Sequence, residues 1–264
     1  EVKIGGSVTG VCAPKDKSDL LNKWNHIVGV YNGGNSQALT IYLNDDNQKM
    51  VSGDGFLQLS SNNAMNFGIG TNGTDNFNGY LDEVALWDIA LSRSEVSAIH
   101  NSGIALDLRS NSGNYTSSND LKSYWKMEEA SGTTLTDVSG YGNDGTIDGA
   151  SWGNRGINSM SYDNTPISRG NALSFDGTDD IVSGTASSSL DVSSSNKLTI
   201  AAWIKPYRKQ SKQQRIFTHG NDATQAQYAL LLSAHKIYFL AGTGAFESGG
   251  GNTSNNMINY QKWN

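Results

Sequence analysis

Short apolar runs separated by clusters of Gly, Asn and Ser constrain the fold of this chain most. Two of these runs, His26–Tyr31 and Ala38–Leu43, flank the Gly-rich segment 32–37, a pattern that predicts a β-hairpin. The run Leu198–Ile204 is apolar at nearly every position, which is typical of a central strand buried on both faces. Because the 264 residues include 30 Gly and only 3 Pro, we expect many short strands joined by tight turns.

Further runs extend this strand pattern along the chain. The segments predicted as strands are Met65–Gly70, Gly79–Trp87, Ser123–Glu128, Ala172–Phe175, Lys197–Lys205, Gln227–Leu232 and Lys236–Ala241. One helix is predicted, because Ser92-Arg-Ser-Glu95 has the spacing of a capping box and is followed by Val96 and Ile99.

The charge of the chain disfavours one class of partner. A formal net charge of −6 and a pI near 5.1 do not suit nucleic acid, whose phosphates favour basic surfaces. The one basic cluster, made of Arg208, Lys209, Lys212 and Arg215, is interpreted as a solvated loop or as a contact for an acidic partner. Cys12 is the only cysteine, so no disulfide can form within the chain. No apolar run approaches the ~20 residues of a membrane helix, so we expect no membrane span.

Four segments resemble one family. Residues 78–87 (NGYLDEVALW), followed by 90–96 (ALSRSEV), resemble the closing strand and helix of laminin G-like (concanavalin A-like lectin/glucanase) domains. Residues 123–134 (SYWKMEEASGTT) and 137–145 (DVSGYGNDG) resemble the opening of the same family, and Ala172–Asp180 and Leu198–Pro206 continue it in the family's order. The resemblance implies an all-β fold: an antiparallel two-sheet jelly-roll sandwich with one short edge helix.

The order of these segments is unusual. Residues 1–104 resemble the C-terminal half of one laminin G-like domain, 105–120 are interpreted as a linker, and 121–264 resemble the N-terminal two-thirds of a following domain. The segment Asn22–Asn25 (NKWN) recurs as Gln261–Asn264 (QKWN), which indicates a repeat of domain length.

Neither part should fold alone. Half a sandwich would expose about ten large apolar side chains, and each would lose ~1.5–3 kcal/mol of burial free energy. The total loss would exceed the ~5–15 kcal/mol net stability of a typical domain. The two parts could close on each other within one chain as a circular permutant. Alternatively, neighbouring copies could complete each part head-to-tail in a fibre or tandem array, which the repeated Lys-Trp-Asn segment favours. The packing of residues 1–104 distinguishes the two arrangements.

The sequence carries no catalytic pattern that we recognise. The β-glucan hydrolases of the concanavalin A-like group use Glu-x-Asp-x-x-Glu on one strand, and this triplet is absent. The adjacent pairs Asp82-Glu83 and Glu128-Glu129 should point to opposite faces of a strand. Residues 68–73 (GIGTNG) match a dinucleotide motif by letter, but a loop and a strand follow instead of a helix. We therefore expect no enzyme activity.

Calcium is the one cofactor that the residues suggest. Strand alternation predicts that Asp82 shares a face with Val84 and Leu86, where a carboxylate needs a cation or several N–H donors. The Gly-rich loop from Asp137 to Asn143 offers oxygen ligands of the kind calcium tolerates. The alternative is a hydrogen-bonded turn at Asp137 and Asn143, with Asp82 capped or salt-bridged.

The resemblance implies a structural calcium between the opening loop and the closing strand. The candidate ligands are Asp82, Asp137, Asn143 and Asp176. Because Asp82 and Asp137 fall in different predicted domains, a shared ion could require two chains.

These interpretations together predict a non-catalytic extracellular structural or adhesion repeat whose partners are neighbouring copies of itself. The rival interpretation is a carbohydrate-binding module of a polysaccharide-degrading enzyme, with glycans as ligands and exposed aromatics such as Trp152 as platforms. A weaker alternative is a hydrolase whose active strand lies outside this sequence.

Overall fold

A computed structural model describes residues 9–13, 20–33, 39–51, 64–69, 75–154, 156–157, 159–160, 166–167, 170–207, 213–220, 226–233 and 236–241. The strands along the chain are β1 (Thr9–Ala13), β2 (Asn25–Asn32), β3 (Leu39–Leu43), β4 (Asp46–Val51), β5 (Met65–Phe67), β6 (Asn78–Trp87), β7 (Leu121–Trp125), β8 (Thr134–Leu135), β9 (Gly145–Asp148), β10 (Ser151–Gly153), β11 (Ser159–Met160), β12 (Pro166–Ile167), β13 (Ala172–Asp176), β14 (Ile181–Gly184), β15 (Lys197–Pro206), β16 (Gln214–Gly220), β17 (Ala226–Ser233) and β18 (Lys236–Ala241). The helix α1 spans Arg93–His100.

The strands form two large antiparallel sheets. The first sheet has the order β1-β18-β17-β16-β5-β14-β9-β8. The second has the order β10-β13-β6-β15-β2-β3-β4, with β7 also paired to β6, and β11 and β12 form a separate pair. The prediction of an all-β, two-sheet sandwich with one short helix is confirmed.

Strands from the two predicted parts alternate within each sheet. In the second sheet, β6 lies between β13 and β15, and β15 lies between β6 and β2. In the first sheet, β5 lies between β14 and β16. Residues from the 1–104 part therefore pack against the 121–264 part of their own chain. Of the two arrangements open from the sequence, the structure has the one closed within a single chain.

The core lies between the two sheets and draws on both parts of the chain. Its buried side chains include Ile27 and Leu86 from the first part, and Ile200, Phe217 and Phe239 from the second. Gly29 on β2 marks the closest approach of the sheets, because a Cβ placed there would lie 2.4 Å from Cγ of Phe239. No larger side chain fits at this position without displacing the buried Phe239 ring.

A second apolar cluster covers the outer face of the second sheet. Val96 and Ile99 of α1 pack there with Trp87 and Tyr124. The α1 helix begins with the predicted capping box: Ser92 Oγ accepts from Glu95 N, and Glu95 Oε2 accepts from Ser92 N.

Residues 105–120, predicted as a linker, are packed into this outer cluster. Leu106, Leu108 and Tyr115 are all buried. Trp87 Nε1 donates to the Tyr115 hydroxyl at 3.0 Å, and that hydroxyl donates to the Leu108 carbonyl at 2.8 Å. The segment is anchored because its apolar side chains cover a sheet face that would otherwise be exposed.

Some predicted features fall beyond the described residues: the second copy of the Lys-Trp-Asn segment, residues 70–73 of the Gly-rich motif, and Arg208, Lys209 and Lys212 of the basic cluster. Arg215 is described, and its assignment to a solvated loop is wrong. It lies on β16, is 2% exposed, and its Nε is 3.5 Å from Asp75 Oδ2. Within the described ranges, no helix has the length and apolar character needed to cross a membrane.

Candidate acidic site

A β-bulge interrupts the pairing of β6 with β15. Ala85 pairs with Ala201 and Asp82 pairs with Trp203, so Glu83 and Val84 together face the single residue between those partners. Glu83 adopts φ 50°, a left-handed conformation that non-glycine residues seldom take. The alternation of faces along β6 therefore reverses at this point.

The reversal places Asp82 on the outer face of the sheet. Directly paired residues project to the same side, and its partner Trp203 packs with Ala105 and Ile157 in an outer cluster. Val84 and Leu86 instead belong to the inner core. The prediction that Asp82 shares a face with Val84 and Leu86 is wrong, because strict alternation does not hold across a bulge.

The same bulge gathers three carboxyl groups. One carboxylate oxygen each from Asp82, Glu83 and Glu128 lies within 4.8 Å of the others. The prediction that Asp82 and Glu83 point to opposite faces is thus also wrong. Glu128 lies beyond the end of β7, just after Met127 at φ 57°. Sequence reasoning missed Glu83 and Glu128 as members of the site. Their positions depend on positive φ values at Glu83 and Met127, and Glu and Met rarely adopt positive φ.

Each of the three carboxylates is held through one oxygen. Asp82 Oδ2 accepts from Ile157 N at 2.8 Å, and Glu83 Oε2 accepts from the Tyr124 hydroxyl. Glu128 Oε2 accepts from Asn171 N at 2.8 Å.

The second oxygen of each group has a different status. Asp82 Oδ1, Glu83 Oε1 and Glu128 Oε1 are buried and have no hydrogen-bond partner among the described residues. Unpaired buried acceptors of this kind are costly unless the carboxyl groups hold protons or a cation.

The electrostatics of the cluster reflect its burial. Burial, reinforced by the neighbouring Glu83 carboxylate, raises the pKa of Asp82 well above its usual range. Burial also raises the pKa of Glu83 to about 8, although the Lys126 ammonium opposes this rise. The pKa of Glu128 is raised by burial as well.

The described cation that acts on Glu83, Lys126, is already engaged elsewhere. Lys126 Nζ lies 3.3 Å from Asp107 Oδ2, an oxygen that also lies 2.6 Å from Arg109 Nη2. Lys126 therefore divides its charge between Asp107 and the cluster, which leaves the three carboxyl groups either to hold protons or to bind a cation.

Two of the three carboxyl side chains are closed to large molecules, and the third, Glu128, is half-buried. Asp82 is fully buried and Glu83 is 3% exposed. The Tyr124 hydroxyl, which contacts Glu83, also lies 3.3 Å from the Leu106 carbonyl of the segment that covers the sheet. A polymer could not reach Asp82 or Glu83 without displacing that segment.

Asp137 and Asn143 form a hydrogen-bonded loop of their own. Asp137 Oδ1 accepts from Tyr124 N and Ser139 N, both at 2.9 Å, and Oδ2 accepts from Asn143 N at 2.9 Å. Asn143 Nδ2 donates to Asp137 Oδ2 at 3.1 Å and to Ser123 Oγ at 2.8 Å. These contacts match the alternative weighed above, in which N–H donors satisfy Asp137. In the part of the chain that the structure describes, Asp137 joins neither acidic group.

Asp176 lies in a third place. One oxygen each from Asp176, Asp179 and Asp180 lies within 4.8 Å of the others. Asp176 N donates to Asp180 Oδ2 at 2.6 Å, and Asp176 Oδ1 accepts from Thr178 N at 2.7 Å. Because Asp176 and Asp179 are exposed, water can solvate this turn. The four predicted ligands are thus divided among three locations.

Comparisons with known proteins give one finding. Residues 3–97 match the family model described as the concanavalin A-like lectin/glucanases superfamily. Neither a curated protein nor a solved structure matches the chain. The match covers one segment, which includes β6 and most of α1, and does not show a tandem repeat. Residues 3–97 are therefore similar to the concanavalin A-like lectin/glucanase superfamily, and the described residues form the two-sheet antiparallel sandwich that this similarity implies.

Proposed function

We propose that the chain is a non-catalytic structural or adhesion domain whose sandwich is stabilised by a calcium ion at Asp82, Glu83 and Glu128. The observation that carries the proposal is the set of three buried, unpartnered carboxylate oxygens, gathered at one place and closed to large molecules.

Spacing alone would be compatible with catalysis. Retaining glycoside hydrolases use two carboxyl groups ~5–5.5 Å apart, close to the 4.8 Å limit within which this cluster lies. A sugar ring must enter between such groups, however, and the burial of Asp82 and Glu83 denies it entry. The geometry therefore favours a structural role over hydrolysis.

Calcium fits the chemistry of this donor set. Ca²⁺ takes 6–8 oxygen ligands, and carboxylates are its main protein donors. Three carboxylates could supply part of that shell, with backbone carbonyls or water supplying the rest. Asp82 and Glu83 lie on β6, whereas Glu128 follows β7, so the ion would connect the two parts of the sandwich within one chain. This differs from the shared ion considered from the sequence, which could require two chains.

Such a site also supports an extracellular location. Extracellular calcium modules bind with dissociation constants of ~10⁻⁴–10⁻³ M, a range that fluids outside the cell can fill.

Calorimetric titration of chelator-treated protein with CaCl₂ tests the metal. We expect a saturable heat for the parent chain and none for Asp82→Asn, which removes one charge without changing side-chain size. Asp137→Asn is the matched control and should still bind, because Asp137 belongs to the separate hydrogen-bonded loop. No heat with the parent protein would exclude the calcium. Release of reducing ends from soluble β-glucans would contradict the non-catalytic part.

Association into a fibre would take a different form from that expected from the sequence. Since the two parts of the chain complete each other, strand exchange is not needed, and copies would meet through exterior surfaces. Light scattering tests this: a 28.3 kDa species indicates a self-contained unit, and a concentration-dependent series of multiples indicates assembly.

One observation favours carbohydrate binding as a second candidate function. Aromatic rings lie half-buried on the outer face of the second sheet, and one of them, Tyr80, lies two residues before Asp82 on β6. Trp152, the aromatic considered from the sequence, is not among them. It packs against the inner core, and its Nε1 donates to the Gly132 carbonyl at 2.9 Å.

A further inference from the structure

An aromatic row crosses the outer face of the second sheet beyond the region that α1 covers. Tyr80 on β6 pairs directly with Lys205 on β15 and with Ser174 on β13. Trp24 immediately precedes Asn25, which is the first residue of β2 and pairs with Ile204 of β15. Because directly paired residues project to one side, Tyr80, Lys205 and Ser174 share this face.

The three aromatic rings of the row are contiguous. The centroids of Trp24 and Tyr80 are 6.4 Å apart with an interplanar angle of 37°, and those of Tyr80 and Tyr207 are 5.5 Å apart at 77°. Lys205 Nζ lies 6.0 Å from the centre of the Tyr207 ring. Trp24, Tyr80, Tyr207 and Lys205 are all half-buried, so each presents part of its surface to solvent.

Core packing accounts for only part of this row: Trp24 packs against the buried cluster of Ala105, Ile157 and Trp203. Neither Tyr80 nor Tyr207 belongs to a buried apolar cluster of the described residues. By contrast Trp203, two residues before Lys205 on the same face, is 4% exposed and packs with Ala105 and Ile157. Part of each ring of the row is therefore exposed to solvent, whereas the ring of Trp203 is buried.

We propose that Trp24, Tyr80 and Tyr207 form a binding platform for a neutral linear oligosaccharide, with Lys205 and Ser174 as hydrogen-bonding groups beside it. This inference rests on the carbohydrate-binding candidate function and assigns it a site. Pyranose rings have apolar C–H faces that pack on aromatic rings and hydroxyl groups that need donors and acceptors at the rim.

The composition of the row separates a glycan from other partners. A docking surface for a protein core would carry aliphatic side chains, and Tyr80 is instead flanked by an ammonium and a hydroxyl group. The chain's net charge of −6 disfavours polyanions at long range, which is why we expect a neutral glycan. Adjacent strands lie ~4.8 Å apart, so side chains on neighbouring strands recur at a spacing comparable to one sugar unit.

Affinity electrophoresis through gels containing soluble laminarin, xylan or galactomannan tests the platform. We expect at least one of these neutral polysaccharides to retard the parent protein. Tyr80→Ala should weaken that retardation by about tenfold, the loss expected for one stacking ring, and Tyr80→Phe should retain most of it. Tyr141→Ala is the matched control, because Tyr141 is an exposed tyrosine outside the row and is 47% exposed.

Each outcome has a defined meaning, provided that the variants melt within a few degrees of the parent protein. If none of the three polysaccharides retards the parent protein, the carbohydrate-binding function and the platform both fail. If the parent is retarded and Tyr80→Ala and Tyr207→Ala are retarded equally, the function stands and the platform is wrong. Retardation only in gels containing alginate, lost in Lys205→Gln but kept in the aromatic variants, would overturn stacking in favour of simple charge attraction.

Discussion

The backbone conformation of Glu83 brings the acidic site together. Its φ of 50° produces the bulge that turns Asp82 to the outer face and brings both side chains toward Glu128. The sequence could indicate that Asp82 needs a partner, because a carboxylate in an apolar strand is costly to bury. It could not indicate the partners. The bulge depends on how β6 pairs with β15, and that pairing joins residues far apart in sequence.

Exchanging Asp82 and Asp137 for Asn separates the two kinds of carboxylate. Asp82→Asn should abolish the calcium-dependent rise in melting temperature while keeping the fold. Asp137→Asn should lower stability by ~1–3 kcal/mol with or without calcium, because it weakens several buried N–H contacts. Melting curves in CaCl₂ and in chelator measure both effects. If Asp137→Asn removed the calcium response, the assignment of the two roles would be reversed.

His26 should make stability depend on pH. Its ring packs at a tilt against Trp203, with ring centroids 4.8 Å apart, and stacks on His100 at 5.7 Å. Burial, and secondly the charge of His100, lower the pKa of His26 to about 3. In the unfolded chain His26 takes up a proton near pH 6.5, whereas in the folded chain it stays neutral until the pH approaches 3. The free energy of unfolding therefore falls as the pH drops from about 6.5 toward 3.

A ring that cannot titrate should reduce this dependence. In His26→Phe the fall in unfolding free energy below pH 6.5 should be shallower by up to ~1.4 kcal/mol per pH unit, the slope that one proton contributes. Urea unfolding between pH 4 and 7 measures the slope, and His100 titrates in both proteins. Equal slopes in parent and variant would show that His26 does not contribute.

At the scale of elements, sequence patterns that involve only neighbouring residues predicted secondary structure better than patterns that depend on distant partners. The capping box of α1 was predictable because Ser92 and Glu95 are three residues apart and need no distant partner. Strand β16 was missed because Gln214, Arg215 and His219 make its sequence look polar, although every residue in it is buried. The role of 105–120 was missed for a related reason: only the assembled sheet shows which face its apolar residues cover.

The network around Glu95 predicts a graded effect on α1. Ser92→Ala should destabilise the protein by ~1 kcal/mol, as is usual for loss of an N-cap. Glu95→Ala should cost more, because Glu95 Oε1 also accepts from the hydroxyls of Thr116 and Ser117 and so joins the helix to the covering segment. Urea unfolding of both variants measures the order. Equal losses would mean that Glu95 acts only as a cap.

At the scale of the whole molecule, two parts of the chain share one core. The family resemblance of residues 78–87 and 90–96 could be read from the sequence, since both segments are local, and both lie within the matched residues 3–97. The sequence could not show whether the two parts of the chain close on each other within one chain or between chains, because the same strand pairings are possible in either arrangement. Gly29 on β2 and Phe239 on β18 show how closely the parts fit.

Enlarging Gly29 tests that fit. Gly29→Ala should destabilise the protein by ~1–3 kcal/mol, because its new Cβ would overlap the Phe239 ring. Adding Phe239→Leu should recover part of the loss by making room, so the two changes should be non-additive. Thermal unfolding of the single and double variants measures the coupling. Strictly additive losses would mean that the two residues do not meet.

The most direct measurement of closure within one chain is a cysteine pair across β6 and β15. Ala85 and Ala201 are registered partners on these strands, one in each part of the molecule. In a Cys12→Ser background, Ala85→Cys with Ala201→Cys should form a disulfide on oxidation. The account predicts a single-chain species on non-reducing denaturing electrophoresis, with the two cysteines joined in its peptide map. A ladder of disulfide-linked dimers and higher species would show that neighbouring chains complete each other, and would contradict the account.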